Sequence, residues 1–283
     1  MADSERNFDE NFERYKHVKR SPLYYYCGEY TTIKQLSRDG NYCENSLSGL
    51  KILDLGCGSG QSIAHFFEKG ADQVIGLDIS QEMVESAKKY LESLKIPNQK
   101  FMIEKADCSS LESVSQILSL DIYSNYFDII TAFYFHCFAK DENQLAEIFN
   151  LCNRYLKPGG KIGFVTLNPE TYTNFLTFKE VAEDHFFAKY QNITVINEIP
   201  QVELLFINPE SKEELFSVFN NIFSVEQFQR AMQRSRFELI EARTLDINPD
   251  FDKSTISAEE LSLLTGNLCV NYFFQGRKVS DLQ

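Results

Sequence analysis

The sequence of 283 residues has no tryptophan, no closely paired cysteines and no long apolar run. Its seven cysteines are odd in number, and none forms a C-x-x-C pair or lies at metal-ligand spacing from a histidine, so we expect neither a disulfide framework nor a bound metal. No apolar stretch approaches the roughly 20 residues that span a bilayer, and the polar N-terminus lacks the pattern of a targeting signal. These absences predict a cytoplasmic protein in a reducing compartment, without membrane contact.

Basic residues are also scarce, because 28 lysines and arginines stand against 41 acidic residues, for a formal net charge of −13. This balance repels the phosphate backbone of a nucleic acid unless cations cluster on one surface. The basic stretch at residues 14–20 is more typical of a solvated helix face than of a phosphate-binding patch. We therefore expect no nucleic-acid partner. The hydrophobic content of 43% is enough for one sizeable core.

The most informative segment is an apolar run, residues 52–60, that ends in three alternating glycines. Gly56, Gly58 and Gly60 permit positive φ and a close approach of the backbone to a ligand, and a helix that begins just after them would direct free amides toward it. The nicotinamide-binding pattern G-x-G-x-x-G requires its third glycine one residue later, and here Asp54 lies inside the strand. A nicotinamide enzyme therefore stays a minor alternative.

Four further strand-like runs follow in order, at residues 74–80, 101–108, 126–132 and 162–166, the last after a predicted Lys-Pro-Gly-Gly turn at 156–161. Helical segments at 81–94 and 142–156 separate some of these runs, and Ser80 is placed to cap the first. Strands that alternate with helices of this length form right-handed βαβ units and a parallel sheet. A closing antiparallel pair is predicted at 237–242 and 268–275.

In this order and spacing, the five runs resemble class I S-adenosylmethionine-dependent methyltransferases, over about residues 10–278. The resemblance implies an α/β fold with a doubly wound, mostly parallel seven-stranded sheet of the Rossmann-like methyltransferase type. The segments 21–23, 132–135 and 165–169 are similar to the toxoflavin-type small-molecule N-methyltransferases. The cofactor implied is S-adenosylmethionine, with S-adenosylhomocysteine as the product.

The resemblance also assigns roles to residues. Asp78 would accept hydrogen bonds from both ribose hydroxyls, Asp107 from the adenine amino group, and Tyr15 would approach the sulfonium or its carboxylate. Met83 would pack on the adenine, although a methionine near a helix start is more often a core residue. The full set of expected cofactor-binding residues is Tyr15, Asp54, Gly56, Cys57, Gly58, Gly60, Asp78, Ile79, Met83, Ala106, Asp107, Cys108, Ala132 and Phe133.

The remaining segments predict three parts around the cofactor site: an N-terminal helical lid at 1–49, a methyltransferase domain at 50–168 and 224–278, and an inserted substrate-binding cap at 169–223. The cap has strand-like runs at 193–197, 201–207 and 215–219, with turns predicted at Pro200 and at Asn208-Pro209. Ser224 and Gln227 fit a capping box at the start of the next helix. The cap would lie over the carboxyl ends of the parallel strands, where substrates bind in open α/β sheets.

A sulfonium donor needs alignment more than it needs a base, but a base would assist a hydroxyl or a protonated amine. The candidates are His136, Tyr134, His185 and Glu203. His136 ranks first, because it follows the fourth strand and an ordinary pKa near 6.5 would let it accept a proton at neutral pH. The alternative is a partly buried histidine bonded to the backbone.

The predicted function is methyl transfer to N or O of a small-molecule metabolite, by a monomer or homodimer. Two other classes remain open. A protein or nucleic-acid methyltransferase would need an open cleft, and a non-catalytic protein could keep the fold and the cofactor without turnover.

Overall fold

A computed structural model describes residues 24–169, 188–208, 211–253 and 271–279. Within them, seven strands form one large sheet: β1 Lys51–Leu55, β2 Gln73–Asp78, β3 Phe101–Lys105, β4 Phe127–Phe133, β5 Leu156–Leu167, β9 Phe237–Thr244 and β10 Asn271–Lys278. Their order is β3-β2-β1-β4-β5-β10-β9. The pairs among β1 to β5 are parallel, while β10 is antiparallel to both β5 and β9. The predicted doubly wound sheet with a closing antiparallel pair is confirmed.

The helices of the described ranges are α1 Tyr30–Leu36, α2 Gln61–Glu68, α3 Gln81–Ser93, α4 Leu111–Ile117, α5 Leu120–Tyr123, α6 Glu142–Tyr155 and α7 Val225–Arg234. The sequence predicts helices at all of these positions except α4 and α5. A π-helical segment, Tyr24–Glu29, precedes α1, and 3-10 turns cover Asn98–Lys100 and Phe135–Phe138. Side-chain oxygens of Ser80 and Ser224 accept the amide hydrogen three residues on, so both predicted caps are confirmed, including the capping box at Ser224.

Two apolar clusters cover the two faces of the large sheet. Leu53 and Leu55 on β1 join the cluster beneath α4, α6 and α7, while Ile52 joins the cluster beneath α1, α2 and α3. The alternation follows from the pleat, because successive side chains of a strand point to opposite faces. With both faces covered, the parallel strands are buried as this architecture requires, and only their ends reach the surface.

Helix α1 is fastened to parts of the chain that are distant in sequence. The Asp246 amide donates to Thr31 Oγ1 at 2.8 Å, and Lys34 Nζ lies 3.1 Å from an Asp246 carboxylate oxygen. At the other end of α1, Lys161 Nζ on β5 donates to the Ser37 carbonyl at 2.8 Å. A cation at this end satisfies carbonyls that have no partner within the helix and complements its dipole.

A second sheet contains the three strands predicted for the cap, β6 Ala188–Ile196, β7 Ile199–Ile207 and β8 Glu214–Asn221, antiparallel in the order β6-β7-β8. The turn predicted at Pro200 is wrong, because Pro200 is the second residue of β7 and pairs with Val195. The chain reverses at Asn197 and Glu198 instead, with φ of 50° and 66°. Proline is tolerated there because the start of a strand can lack one amide donor.

A second correction concerns the turn predicted at 156–161, which lies within β5. Leu156 pairs with Phe127 and Lys161 with Ile129, so one residue on β4 lies opposite four residues on β5 and the register shifts between these pairs. Gly159 absorbs the excursion with a φ of 74°. The glycines therefore form an irregularity in a long strand and do not separate a helix from a strand.

Several predictions fall on residues outside the described ranges. Tyr15, the basic stretch 14–20 and the entry segment 21–23 lie before residue 24, and His185 lies between 169 and 188. The boundaries of the lid, the domain and the cap stay predictions. Among the described helices, none combines the length and apolar character needed to cross a bilayer.

The cap at Ser224 provides a test of the local stabilisation of α7. Replacement Ser224→Ala removes the acceptor for the Gln227 amide, at 3.2 Å, and should lower the free energy of unfolding by about 1 kcal/mol. Urea denaturation measures the change. Ser119→Ala is the matched control, since Ser119 precedes α5 without a side-chain capping bond and should change little. Equal losses in both variants would contradict the assignment.

Candidate functional site

The glycine turn after β1 needs glycine at all three positions. Gly56, Gly58 and Gly60 have φ of 69°, 52° and 79°, in the left-handed region that other residues rarely adopt. A methyl group added to Gly56 would lie 2.9 Å from Phe135 Cβ, and one added to Gly60 would lie 3.0 Å from Ala87 Cβ. At Gly58 it would meet no atom within 4 Å. The middle of the turn therefore faces open space.

The register of the sheet brings the predicted site segments to one edge. Leu55 pairs with Leu77 on β2 and with Ala132 on β4, and Asp78 pairs with Lys105 on β3. The residues that follow these pairs begin the loops after β1, β2, β3 and β4. In open α/β sheets, ligands bind at the carboxyl ends of the strands where the strand order reverses direction, which here is between β1 and β4.

Asp78, at the end of β2, is bound to the glycine turn. Its Oδ2 accepts the Gly58 amide at 2.8 Å, and its Oδ1 accepts the Ser80 amide at 3.0 Å. These two bonds fix the plane of the carboxylate beside the open space at Gly58. The carboxylate is half-buried, at the end of β2.

Asp107, in the loop after β3, is oriented by its own loop. Its Oδ1 accepts the Ser109 amide at 3.0 Å and the Ser109 hydroxyl at 2.8 Å, while its backbone amide donates to Ser113 Oγ. The side chain is half-buried. This carboxylate is therefore held at the same edge as Asp78, one strand further out.

Asp54 is the buried acid of the site, with only 1% of its surface exposed. Thr131 Oγ1 on the neighbouring strand donates to its Oδ1 at 2.6 Å. Burial, with a smaller contribution from the charge of Asp78, raises the pKa of Asp54 to about 7 against the opposing effect of the Thr131 hydrogen bond. A cation bound nearby would favour the ionised form and lower this pKa.

The two cysteines of the predicted site have buried thiols. Cys57 and Cys108 are buried, and burial raises the pKa of both thiols well above the ordinary value. The Cys57 amide donates to the Leu77 carbonyl, and the Ala106 amide donates to the Asp78 carbonyl. These amides are satisfied within the protein, so ligand contacts at Cys57 and Ala106 would have to come from other atoms.

The apolar members of the predicted set differ in burial. Met83 is only 3% exposed, which favours the alternative of a core residue, and Ala132 is fully buried. Ile79 and Phe133 are half-buried, and the Phe133 ring lies 6.5 Å from that of Phe66. Ile79 and Phe133 are thus the two apolar side chains of the set that keep accessible surface at this edge.

The reason given for His136 as the first candidate base is wrong. Its side chain is fully buried, and burial lowers its pKa to about 3, far from the ordinary 6.5. A group with this pKa is neutral at physiological pH but is a poor proton acceptor. The alternative is wrong as well, because neither ring nitrogen of His136 has a hydrogen-bond partner within the described parts of the chain.

The other candidate bases receive no support from their environment. Tyr134 donates its hydroxyl hydrogen to Asn271 Oδ1 at 2.6 Å. Glu203 lies on β7 in the small sheet, where hydrogen bonds from Ser217 and Asn192 lower its pKa and weaken it as a base. The catalytic roles of Tyr134 and His136 stay untested predictions, and His185 is outside the described residues.

Three features of the site were missed from the sequence. Thr131 reaches Asp54 only because the two face each other in the β1/β4 register, and Phe135 packs on the glycine turn from a loop almost 80 residues away. The third is a buried network in which Glu29 accepts from Ser62 Oγ and lies 2.6 Å from His65 Nδ1, with Tyr42 on the other ring nitrogen. The tyrosine-rich composition was the only signal for this network.

Residues 52–160 match the family model described as a methyltransferase domain. A protein named ubiquinone biosynthesis O-methyltransferase from Idiomarina loihiensis is 32% identical over 130 residues, covering 45% of this chain and 47% of that protein. The chain spans less than half the length of the curated relatives it matches.

Solved structures match the domain and its surroundings over most of the chain. An S-adenosylmethionine-dependent methyltransferase from Clostridium acetobutylicum superimposes with a TM-score of 0.60 and 14% identity, covering 95% of this chain and 99% of that chain. Magnesium protoporphyrin IX methyltransferase from Synechocystis, determined with bound S-adenosylhomocysteine, gives 0.58 and 11%, covering 98% and 99%. At these identities the match establishes the Rossmann-like methyltransferase fold of this chain.

Asp54 provides a test of the electrostatics of the domain. Because its folded-state pKa is raised from 3.8 to about 7, the stability it contributes is full below pH 4 and is lost as the pH rises through 7. Asp54→Asn carries no charge at this position. The melting temperature of the variant minus that of the native protein should therefore increase from pH 5 to 7.5 and stay constant above that range. The corresponding change in the free energy of unfolding is at most about 1.4 kcal/mol per pH unit.

Differential scanning calorimetry across this pH range measures the effect, with the exposed Asp72→Asn as control. The control should show no such gain. A pH-independent difference between Asp54→Asn and the native protein would exclude the raised pKa.

Proposed function

We propose that this chain is an S-adenosylmethionine-dependent methyltransferase that transfers a methyl group to N or O of a small-molecule metabolite. The observation that carries the proposal is the carboxylate of Asp78, fixed against a left-handed glycine turn whose middle residue faces open space. That arrangement is suited to a ligand with two adjacent hydroxyls. The match to a methyltransferase domain supports the same reading.

The residues present suit this cofactor at three points. Asp78 would accept hydrogen bonds from the two ribose hydroxyls, and Asp107, one strand away, would accept from the adenine amino group. Asp54 supplies a buried acid whose raised pKa is relieved by a nearby cation, which favours a cationic ligand over a neutral or anionic one. The expected contact from Tyr15 remains part of the proposal.

S-adenosylmethionine, when bound, supplies a methyl group already activated by a sulfonium. The protein then needs to hold the acceptor in line with that group and to exclude water, and well-oriented reactants can gain roughly 7 to 11 kcal/mol by proximity. The first turn after β4, where Phe135 packs against Gly56, is the described element that would serve both purposes. No described side chain is placed as an effective base, so alignment carries the proposed catalysis.

A small acceptor is favoured over a macromolecule by two observations. The small sheet is attached to the loop after β4, because Asn221 Nδ2 donates to the Ala139 carbonyl at 2.7 Å. This attachment favours a covered site over the open cleft that a macromolecule would need. The net charge of −13 opposes a nucleic-acid substrate. Named relatives methylate oxygen in ubiquinone biosynthesis, whereas the similarity to toxoflavin-type enzymes favours nitrogen, so both acceptor atoms stay in the proposal.

Calorimetric titration with S-adenosylmethionine and S-adenosylhomocysteine tests the cofactor. Asp78→Ala removes two charge-assisted hydrogen bonds to ribose, each of about 1.5 to 3 kcal/mol, and should weaken both ligands at least tenfold. Asp72→Ala, on the surface, should bind like the native protein.

Because Asp78 also holds the glycine turn, the melting temperature of each variant is measured in parallel to separate lost binding from lost folding. If the native protein binds neither compound, or if folded Asp78→Ala binds both unchanged, the proposed cofactor site is incorrect.

A further inference from the structure

His136 lies between the glycine turn and the small sheet. Its preceding neighbour, Phe135, packs against Gly56, where an added methyl group would come within 2.9 Å of Phe135 Cβ. Three residues after His136, the Ala139 carbonyl accepts the hydrogen bond from Asn221 on β8. The 3-10 turn Phe135–Phe138 is therefore in contact with the proposed cofactor turn on one side and with the small sheet on the other.

The ring nitrogens of His136 make no hydrogen bond within the described parts of the chain. Its side chain is fully buried, and neither Nδ1 nor Nε2 has a hydrogen-bond partner among the residues that the structure describes. A buried polar group without a partner costs free energy comparable to a lost hydrogen bond, and natural proteins keep very few of them. A phenyl ring in the same place would avoid this desolvation cost. We therefore expect the imidazole to have a hydrogen-bond partner that is not part of the described chain.

The surroundings define the chemistry of that partner. The His136 ring stacks on Phe164 at 5.2 Å and meets the edge of Phe228 at the same distance. Burial lowers its pKa, and no charge among the described residues contributes. Because both phenyl rings pack on the imidazole itself, an uncharged partner is favoured over a charged one, and an aromatic setting favours a partner that carries a ring.

We infer that His136 is the specificity-determining residue for the methyl acceptor, and that the acceptor is a neutral aromatic molecule whose hydroxyl or amino group hydrogen-bonds to the imidazole. The inference rests on the proposed methyl transfer and names the substrate class of that site. His136 acts here as a neutral hydrogen-bonding group, and takes no proton from the acceptor.

Such a group discriminates strongly between ligands. A site built to bind a hydroxyl or amine rejects an analogue without it, because the buried imidazole then remains unpaired. Because the imidazole is fully buried, we expect access to require the small sheet to separate from the 3-10 turn, which would break the hydrogen bond from Asn221 to the Ala139 carbonyl.

The test compares the native protein with His136→Phe and His136→Gln. Phenylalanine keeps a flat ring between Phe164 and Phe228 but removes both unpaired nitrogens, so the melting temperature of His136→Phe should rise while S-adenosylhomocysteine binds as in the native protein. Glutamine keeps hydrogen-bonding atoms. The probes are phenol and aniline, with toluene as the analogue that lacks a polar group.

Calorimetry, with and without S-adenosylhomocysteine, should give phenol or aniline affinities at least tenfold above toluene for the native protein. His136→Phe should lose this preference, His136→Gln should retain part of it, and toluene should bind all three alike. In nitrogen-15 spectra of the four histidines, the signal absent from His136→Phe should shift with phenol.

The inference is overturned if the native protein shows no preference for phenol or aniline over toluene, or if His136→Phe keeps it. A destabilised His136→Phe that loses toluene as well would assign the residue to packing and overturn it too. Failure of the proposed function is distinguishable, because it appears as absent binding of both cofactor compounds to the native protein.

Discussion

The bond between the Asp78 carboxylate and the Gly58 amide joins the ends of two adjacent strands, and the rest of the site is arranged around it. Gly56 and Gly58, on either side of Cys57, both adopt the left-handed conformation in this turn. The bond requires β1 and β2 to end at the same level, which the parallel register provides. The loops after β3 and β4 then have fixed positions on either side. One local contact thus depends on the global order of the sheet.

Much of this arrangement could be predicted from the sequence because it is local. The alternating glycines, the acid that ends β2 and the serine that caps α3 are each decided within about ten residues of chain. The strands of the small sheet were found for the same reason, since their apolar runs are continuous. Pro200 was misplaced because proline marks a turn in most contexts, whereas the start of a strand tolerates it equally well.

The features that could not be predicted depend on contacts between distant segments. The bond from Thr131 to Asp54 exists only in one register of β1 against β4. The pKa of His136 depends on burial between β5 and α7, which the residue type alone does not reveal. An ordinary pKa was the natural starting value, and full burial without a charged partner changed it. Site residues were therefore easier to locate than to assign a protonation state.

The attachment of α1 to Asp246 has a consequence for the order in which the chain can fold. Thr31 and Asp246 are separated by 215 residues, so the loop between them is closed only after most of the chain is available. Loop closure over such a distance is entropically costly until the intervening strands have paired. Helix α1 is synthesised before any strand of the large sheet, yet its bond to Asp246 can form only after β9 is available. A ribosome-bound chain that lacks the segment after β9 would carry α1 without this anchor.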